Sequence, residues 1–133
     1  MIDFTERIET EIYQAITRDE DIDAAFTVDN YSRHPLVEIG AVLLEQETFP
    51  KQQWYGVQAS IRIEAKFNNA KQEVNELSDT CIALLKDSFE NAWQGMLIHG
   101  YGFSVRRDKF LSSDDTWIQE KDITVRLLIE LKN

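Results

Sequence analysis

One junction in the chain, where a regular alternation gives way to a helical repeat, most constrains the fold. Apolar residues fill every second position from Val57 to Phe67, and polar or charged residues fill the positions between them. Side chains alternate between the two faces of a strand, so one face is expected to enter a core and the other to meet water. Apolar residues then recur at helical spacing from Ala70 to about residue 93, with Asn69 as a candidate N-cap and Gly95 as the expected stop.

Weaker patterns predict the elements on either side of this junction. Apolar residues at every fourth position predict an amphipathic helix over 3–18. Strands are predicted over four further stretches: 24–29, 36–46 with Gly40 as a possible bulge, 96–106, and 123–131. In the third of these, alternation places one set of side chains on a common apolar side: Leu97, His99, Tyr101, Phe103 and Val105. The polar segment from Arg106 to Trp117 is predicted to be a hairpin loop.

The predicted order of elements is α-β-β-β-α-β-β. This order is typical of an α+β fold with an antiparallel or mixed sheet and two helices packed on one face. The length of 133 residues fits a single domain spanning 1–133, because two cores of ordinary size need a longer chain.

Charge and composition narrow the possible partners. The chain has 24 Asp and Glu against 14 Lys and Arg, and a net charge of −10 repels nucleic acid and anionic membrane surfaces. No apolar run approaches the ~18–20 residues that cross a bilayer. The single cysteine, Cys81, allows no internal disulfide, and the first six residues lack the pattern of a signal peptide. We therefore expect a protein made and kept in the cytosol, with neither nucleic acid nor membrane as a partner.

No recognisable catalytic, metal or cofactor motif stands in the sequence. His34 and His99 lack paired-ligand spacing, and Cys81 falls on the apolar stripe of the second helix. The acidic run at 19–23 lacks the central Gly and the terminal Glu of a calcium loop. We therefore expect no catalytic residue, no metal and no cofactor; an enzyme would need Tyr101, His99 and an acid brought together by the fold.

Aromatic and charged residues indicate surfaces for protein contact. Aromatic and Arg side chains contribute most to interface energetics, although rings beside loops can equally fold back over a small core. A basic tip on an acidic body also suits head-to-tail self-association, which closes into a ring if the rotation allows. The candidate interface residues are Phe49, Trp54, Tyr55, Phe110 and Trp117, the basic Arg106, Arg107 and Lys109, and the acidic Asp19, Glu20 and Asp21.

The order of elements, with the strand-to-helix junction at 61–71, resembles the tail terminator and tail-completion proteins of long-tailed bacteriophages, the minor tail protein U-like family. The resemblance extends from about residue 3 to 131. It implies a non-enzymatic ring, a hexamer, that caps the tail tube, ends its polymerisation and contributes to head–tail joining. The implied partners are further copies of the chain, the tail tube protein and a head-completion protein. The implied location is the cytoplasm of the bacterial host during assembly and then the virion tail.

Two other functions remain open from the residues. One is a head-completion or neck adaptor, which differs from a terminator by binding the portal side instead of the end of the tube. The other is a small acidic cytosolic binding protein of the inhibitor or immunity type, which predicts a monomer or dimer in a tight one-to-one complex with a basic partner. An intact phage and a prophage remnant are equally compatible with the sequence.

Overall fold

The computed structural model describes residues 4–26, 35–48, 54–66, 69–91, 93–111 and 117–132, with the backbone alone at 45–48, 108–111 and 117. The predicted α+β class is confirmed, and the order of elements agrees in outline. The described elements are α1 (Phe4–Ile16), β1 (Ala24–Ala25), β2 (Leu36–Ile39), β3 (Leu43–Thr48), β4 (Trp54–Lys66), α2 (Ala70–Glu90), β5 (Met96–Leu111) and β6 (Trp117–Leu131).

The described strands form one mixed sheet in the order β1-β2-β4-β6-β5, with β3 also paired to β4. β2 and β3 lie on the same side of β4, because β2 pairs with its Ile61–Glu64 half and β3 with its Trp54–Gln58 half. β1 runs parallel to β2, and the other pairings are antiparallel. β4 and β6 therefore form the centre of the sheet, while β5 and the pair β1 and β3 stand at its two sides.

One face of the sheet carries the core, and both helices pack on it. The inward side chains of β4 and β6 are almost completely buried, as the alternation in both segments predicts. Each such side chain contributes on the order of 1.5–3 kcal/mol when it leaves water. We call this the helix face and the opposite side the helix-free face. The buried residues facing one another include Ile8, Ile12 and Ile16 of α1, Val74, Cys81 and Leu85 of α2, Ile61 and Ile63 of β4, and Ile123, Val125 and Ile129 of β6.

The single strand predicted over 36–46 is two strands separated at Gly40. The backbone N–H of Gly40 still donates to the Ser60 carbonyl at 2.8 Å. A Cβ on Gly40 would lie 2.6 Å from Ser60 Oγ, so the chain can approach β4 this closely only without a side chain. The strand predicted over 24–29 is described only at Ala24–Ala25, and its last three residues lie outside the described part of the chain.

The second helix ends earlier than predicted, and Gly95 does not stop it. The helix finishes at Glu90, where the side-chain Nδ2 of Asn91 donates to the Asp87 carbonyl at 2.6 Å and its backbone N–H donates to the Ser88 carbonyl at 3.2 Å. Gly95, with a φ of 74°, instead forms the turn into β5, and its carbonyl accepts from Lys132 N–H at 2.8 Å. Asn69 precedes the helix as predicted, but its side chain makes no capping hydrogen bond.

The hairpin loop predicted over 106–117 is wrong for most of its length. β5 continues to Leu111 and β6 begins at Trp117, so the two strands pair from Arg106–Asp122 through to Leu111–Trp117. The segment looked like a loop because charged residues occupy successive positions. Of the charged pairs on this ladder, Arg106–Asp122 joins opposite charges, whereas Arg107–Lys121 and Asp108–Glu120 join like charges. Cross-strand charge therefore favours the first pair and not the other two.

The alternation over 96–106 is interrupted, so its predicted common side is also wrong. The register shifts between Ile98 and Gly100, which leaves His99 as an extra residue in a bulge. Leu97 and His99 therefore lie on the helix-free face, whereas Tyr101, Phe103 and Val105 lie on the helix face opposite Leu127, Val125 and Ile123.

Neither α1 nor α2, the helices in the described part of the chain, is long and apolar enough to cross a membrane.

We expect Gly40→Ala to lower the free energy of unfolding by about 1–3 kcal/mol, because the added methyl overlaps Ser60 Oγ. Adding Ser60→Ala should recover part of the loss by removing that oxygen. Gly100→Ala is the matched control, since nothing lies within 4 Å of its added Cβ. Urea unfolding of the three variants and the unsubstituted protein checks this, and an equal loss for Gly40→Ala and Gly100→Ala would contradict the close approach.

Candidate interaction surface

The middle of the helix-free face is nearly flat, because small residues lie next to one another there on neighbouring strands. The antiparallel pairings align Gly56, Leu128 and Gly100 in one cross-strand row, and Ser60, Thr124 and Ser104 in another. A Cβ added at Gly100 or Gly102 would meet nothing within 4 Å. A shallow depression of about 340 Å³ is lined here by Gly56, Gly102, Arg126 and Leu128 with the backbone around them. The surface therefore has room for side chains that another molecule supplies.

A charged cluster centred on Arg62 lies on the same face, in the half of the sheet where β2 pairs with β4. Its guanidinium donates to Glu38 Oε1 at 3.2 Å, to Glu64, and to Glu120 Oε2 at 3.4 Å. Asp122 extends the cluster and pairs with Arg106 at 3.3 Å. β2, β4, β6 and β5 each contribute, so the cluster joins four adjacent strands.

Burial and the neighbouring charges shift two pKa values within this cluster. Partial burial lowers the pKa of Arg62, but the hydrogen bond to Glu38 and the three carboxylates outweigh that effect, so the pKa lies above its usual value. Burial and the nearby Asp122 raise the pKa of Glu120, more than Arg62 lowers it. Burial thus disfavours the charged form of Glu120 in spite of its hydrogen bond to Arg62.

A second cluster stands at the other end of the helix-free face. The ring of His99 stacks on Trp54, with centroids 3.9 Å apart, and His99 Nε2 lies 2.7 Å from Glu130 Oε1. The hydrogen bond to His99 lowers the pKa of Glu130 more than partial burial raises it, and Lys132 adds to the lowering. The sequence placed His99 on an apolar side, and the bulge explains why it instead binds a carboxylate on the opposite one.

An open cleft of about 430 Å³ between the end of α2 and β5 brings His99, Tyr101 and an acid to one place. Tyr101 Oη donates to Glu90 Oε1 at 3.0 Å, and this hydrogen bond raises the pKa of the phenol. His99, however, binds Glu130 on the other face of the sheet. The two groups are therefore aimed at different carboxylates on opposite faces and do not converge on a common point.

The two sides of the sheet both expose large apolar side chains. Among the described strands, β5 pairs only with β6, β3 only with β4, and β1 only with β2. On the β5 side Leu97, Tyr101 and Val105 are exposed, and on the β3 side Leu43 and Leu44 are 59% and 49% exposed. Unpaired strand edges with apolar side chains readily add another strand.

The structure separates the aromatic candidates. Tyr55 packs on Phe4 of α1, with ring centroids 4.9 Å apart. It therefore covers the core, the second of the two possibilities that the sequence left open for these aromatic residues. Trp54 lies on the helix-free face against His99. Phe110 and Trp117 belong to the paired ends of β5 and β6, and their side chains lie outside the described part of the chain. Phe49 lies outside the described residues altogether.

The predicted basic cluster is divided between the two faces of β5. Arg106 lies on the helix-free face beside Asp122, whereas Arg107 lies on the helix face, 3.5 Å from Asn75 of α2. Lys109 is also on β5, opposite Gln119, but its side chain is not among those described. Arg106 and Arg107 are both exposed, so the half of β5 that ends at Leu111 still carries positive charge.

The acidic candidates form a turn between α1 and β1. Asp19 Oδ1 accepts the backbone N–H of Asp21 at 2.9 Å, and Glu20 and Asp21 are exposed. Asp19 lies near Cys81, whose pKa is raised to about 12 by burial and, to a lesser extent, by this carboxylate. The acidic turn directly precedes β1 and so lies on the side of the sheet away from β5.

Sequence reasoning missed the Arg62 cluster and the pairing of His99 with Glu130. The signal was present for Arg62, Glu64 and Glu130, which occupy the outward positions of alternating strands, whereas Glu120 lies in a polar run without alternation. Without the register between strands, however, nothing in the sequence shows that these positions are neighbours.

Within the described residues, no group of three or more His, Cys, Asp or Glu side chains is arranged to hold a metal ion. No protein-family model matches the chain, and no curated protein matches it.

Arg62→Gln should lower the free energy of unfolding at pH 7 by about 1–3 kcal/mol, because it leaves the carboxylates facing one another. The figure is below that for a fully buried pair, since the Arg62 side chain is 30% exposed. Lys71→Gln, at an exposed position of α2, is the control and should change little.

Glu120→Gln should have the opposite effect at pH 7. A carboxyl whose pKa is raised by folding stabilises the protein when protonated, and this contribution is lost as the pH rises through that pKa. The variant should therefore be more stable than the unsubstituted protein at neutral pH, with the difference shrinking as the pH falls. Urea unfolding at several pH values measures this, and a loss of stability at pH 7 would show that the pairing with Arg62 dominates.

Proposed function

We propose that the protein is a non-enzymatic structural protein whose copies join head to tail into a ring. The observation that supports this proposal is that the two sides of the sheet differ and carry complementary apolar and charged groups. The β5 side presents apolar side chains and the exposed bases Arg106 and Arg107. The opposite side presents Leu43 and Leu44 together with the acidic turn at 19–23.

Two different surfaces that fit each other make a heterologous contact. Such a contact generates either a closed ring or an open filament, according to the rotation between neighbours. A ring that caps a phage tail tube, ends its polymerisation and contributes to head–tail joining agrees with this arrangement and with the resemblance of the chain to tail terminators. Its partners are then its own copies, in a hexamer, together with the tail tube protein and a head-completion protein. It is assembled in the cytoplasm of the bacterial host and remains in the virion tail.

The chemistry of the described surface supports a binding role over catalysis. His99, Tyr101 and Glu90 border the same cleft, but the first two are committed to carboxylates on opposite faces. Cys81 is fully buried and its pKa is raised to about 12, which disfavours the nucleophilic thiolate.

A head-completion adaptor would use the same surfaces and differs by binding the portal side. An acidic inhibitor or immunity-type protein would use the carboxylates around Arg62 to hold a basic partner and would need no contact between its own copies. The exposed leucines of β3 favour self-association over the inhibitor function, because a surface for a basic partner gains little from them.

We expect light scattering across a concentration series to give a mass that rises to a closed multiple of the protomer. Negative-stain images of the same samples should show rings with a central hole. A hexamer has the expected mass of the terminator, and adding tail tubes should place the ring at one end of each tube.

A mass that stays monomeric at every concentration, both alone and with tail tubes, would contradict the ring. A tight one-to-one complex with a basic protein under the same conditions would point to the inhibitor function. Rings that bind portal complexes and not tubes would identify an adaptor.

A further inference from the structure

We propose that the lower half of β5 adds to β3 of the next copy as an antiparallel strand pair, so that one sheet continues through the assembly. This inference rests on the self-association proposed above and specifies how it occurs. The two segments are Leu97–Phe103 of one copy and Leu43–Thr48 of its neighbour; Met96 is left out because its backbone already bridges to Trp93. We call their contact the strand joint.

Cross-strand pairs form rows that run through the sheet from β5 to β3. The two side chains at the ends of one row therefore lie at the same height along the strands. Tyr101 pairs with Leu127, Leu127 with Val57, and Val57 with Leu44, so one row on the helix face ends in Tyr101 and Leu44. Both end residues are exposed, at 38% and 49%. When the next copy continues this row, Tyr101 stands directly opposite Leu44, and an aromatic–aliphatic pair of this kind stabilises a sheet.

The next row makes a complementary contact on the helix-free face. Gly102 pairs with Arg126, Arg126 with Gln58, and Gln58 with Leu43. Leu43 is the most exposed of the described large apolar side chains, at 59%, while the space above Gly102 is open. The depression of about 340 Å³ beside Gly102 has Leu128 in its lining. Leu43 of the neighbour can therefore lie in this depression, which gives the glycine a role that the isolated chain does not explain.

Strand direction agrees with this pairing. β5 runs parallel to β4, because both are antiparallel to β6, and β3 runs antiparallel to β4. A neighbour in the same orientation therefore presents β3 antiparallel to β5. Antiparallel pairing needs no inversion of the copy, so the same contact can repeat around a ring.

β1 limits the joint to the lower half of β5. It lies beyond β2, one strand further out than β3, and Ala25 shares a cross-strand row with Glu38, Arg62, Asp122 and Arg106. Beyond Phe103, on its way to Leu111, β5 must therefore run outside β1 of the neighbouring copy. This route brings Arg106 and Arg107 to the level of the acidic turn that precedes β1, where opposite charges attract.

Cysteine pairs test the joint directly. Residues directly opposite in an antiparallel pair have Cα atoms about 4.5–5.5 Å apart, which a disulfide can span. The Leu44→Cys, Tyr101→Cys double variant should, under mild oxidation, give a ladder of linked species that ends at the size of the ring. Cys81 is fully buried and can remain in place.

The single variants are the controls, since each can link no more than two copies. A dimer from Tyr101→Cys alone, with no ladder from the double variant, would show that β5 pairs with a second β5 and would overturn the joint. Rings in negative stain without a ladder would overturn the joint and leave the proposed function standing. No oligomer, with or without tail tubes, would overturn both.

Gly102→Leu tests the contact on the helix-free face. The added side chain fills the depression that Leu43 is proposed to occupy, so self-association should weaken by at least tenfold while the thermal midpoint of the dissociated protein does not fall. Ala83→Leu adds similar bulk at an exposed position of α2 and should leave association as it was. Equal association constants for the two variants, measured by analytical ultracentrifugation, would overturn the contact.

Discussion

The pairing of β4 with β6 is the interaction on which the rest of the structure depends. It is continuous from Trp54–Glu130 to Lys66–Ile118, without a register shift. Because every second residue from Val57 to Ala65 of β4 and from Ile123 to Ile129 of β6 is apolar, this register puts those side chains on one face, where α1 and α2 cover them. The same register gathers Arg62, Glu64 and Glu120 on the other face. It also sets the cross-strand rows that bring Tyr101 on one side of the sheet level with Leu44 on the other.

With stability supplied by the helix face, the helix-free face and the sides of the sheet are free to carry other features. Glycines at 56, 100 and 102 contribute nothing to a core, and in a strand they weaken it. No other described strand pairs with the outer edge of β5, and a long edge of this kind invites uncontrolled pairing. The bulge at His99 and the charges at Arg106 and Arg107 are the kinds of device that restrict such pairing, while β1 limits the length over which a neighbour can pair. These features favour one specific partner strand over many.

The sequence predicted the parts of the fold that depend on local pattern. The strand at 57–67 and the helix that follows it depend on periodicities that survive tertiary contact, and both are present within a few residues. The prediction of a loop over 106–117 was wrong because a run of charged residues indicates an exposed segment. The sequence does not show that these residues pair with another strand. His99 was placed on the wrong face because a bulge shifts the period by one residue, and neither the local composition nor the spacing signals it. The Arg62 cluster depends wholly on register between four strands, which one sequence does not specify.

Hydrogen–deuterium exchange of the β5 backbone tests the central claim most directly. In the dissociated protein the outward amides of Leu97–Phe103 pair with no other described strand and should exchange quickly. The amide of Met96, which donates to the Trp93 carbonyl at 3.3 Å, and those of β4 and β6 should be protected. We predict that the amides of this segment and of Leu43–Thr48 become protected together as concentration drives assembly, with no change on the exposed face of α2. Assembly that protects the helices and leaves both strand segments exchanging at their dissociated rate would contradict it.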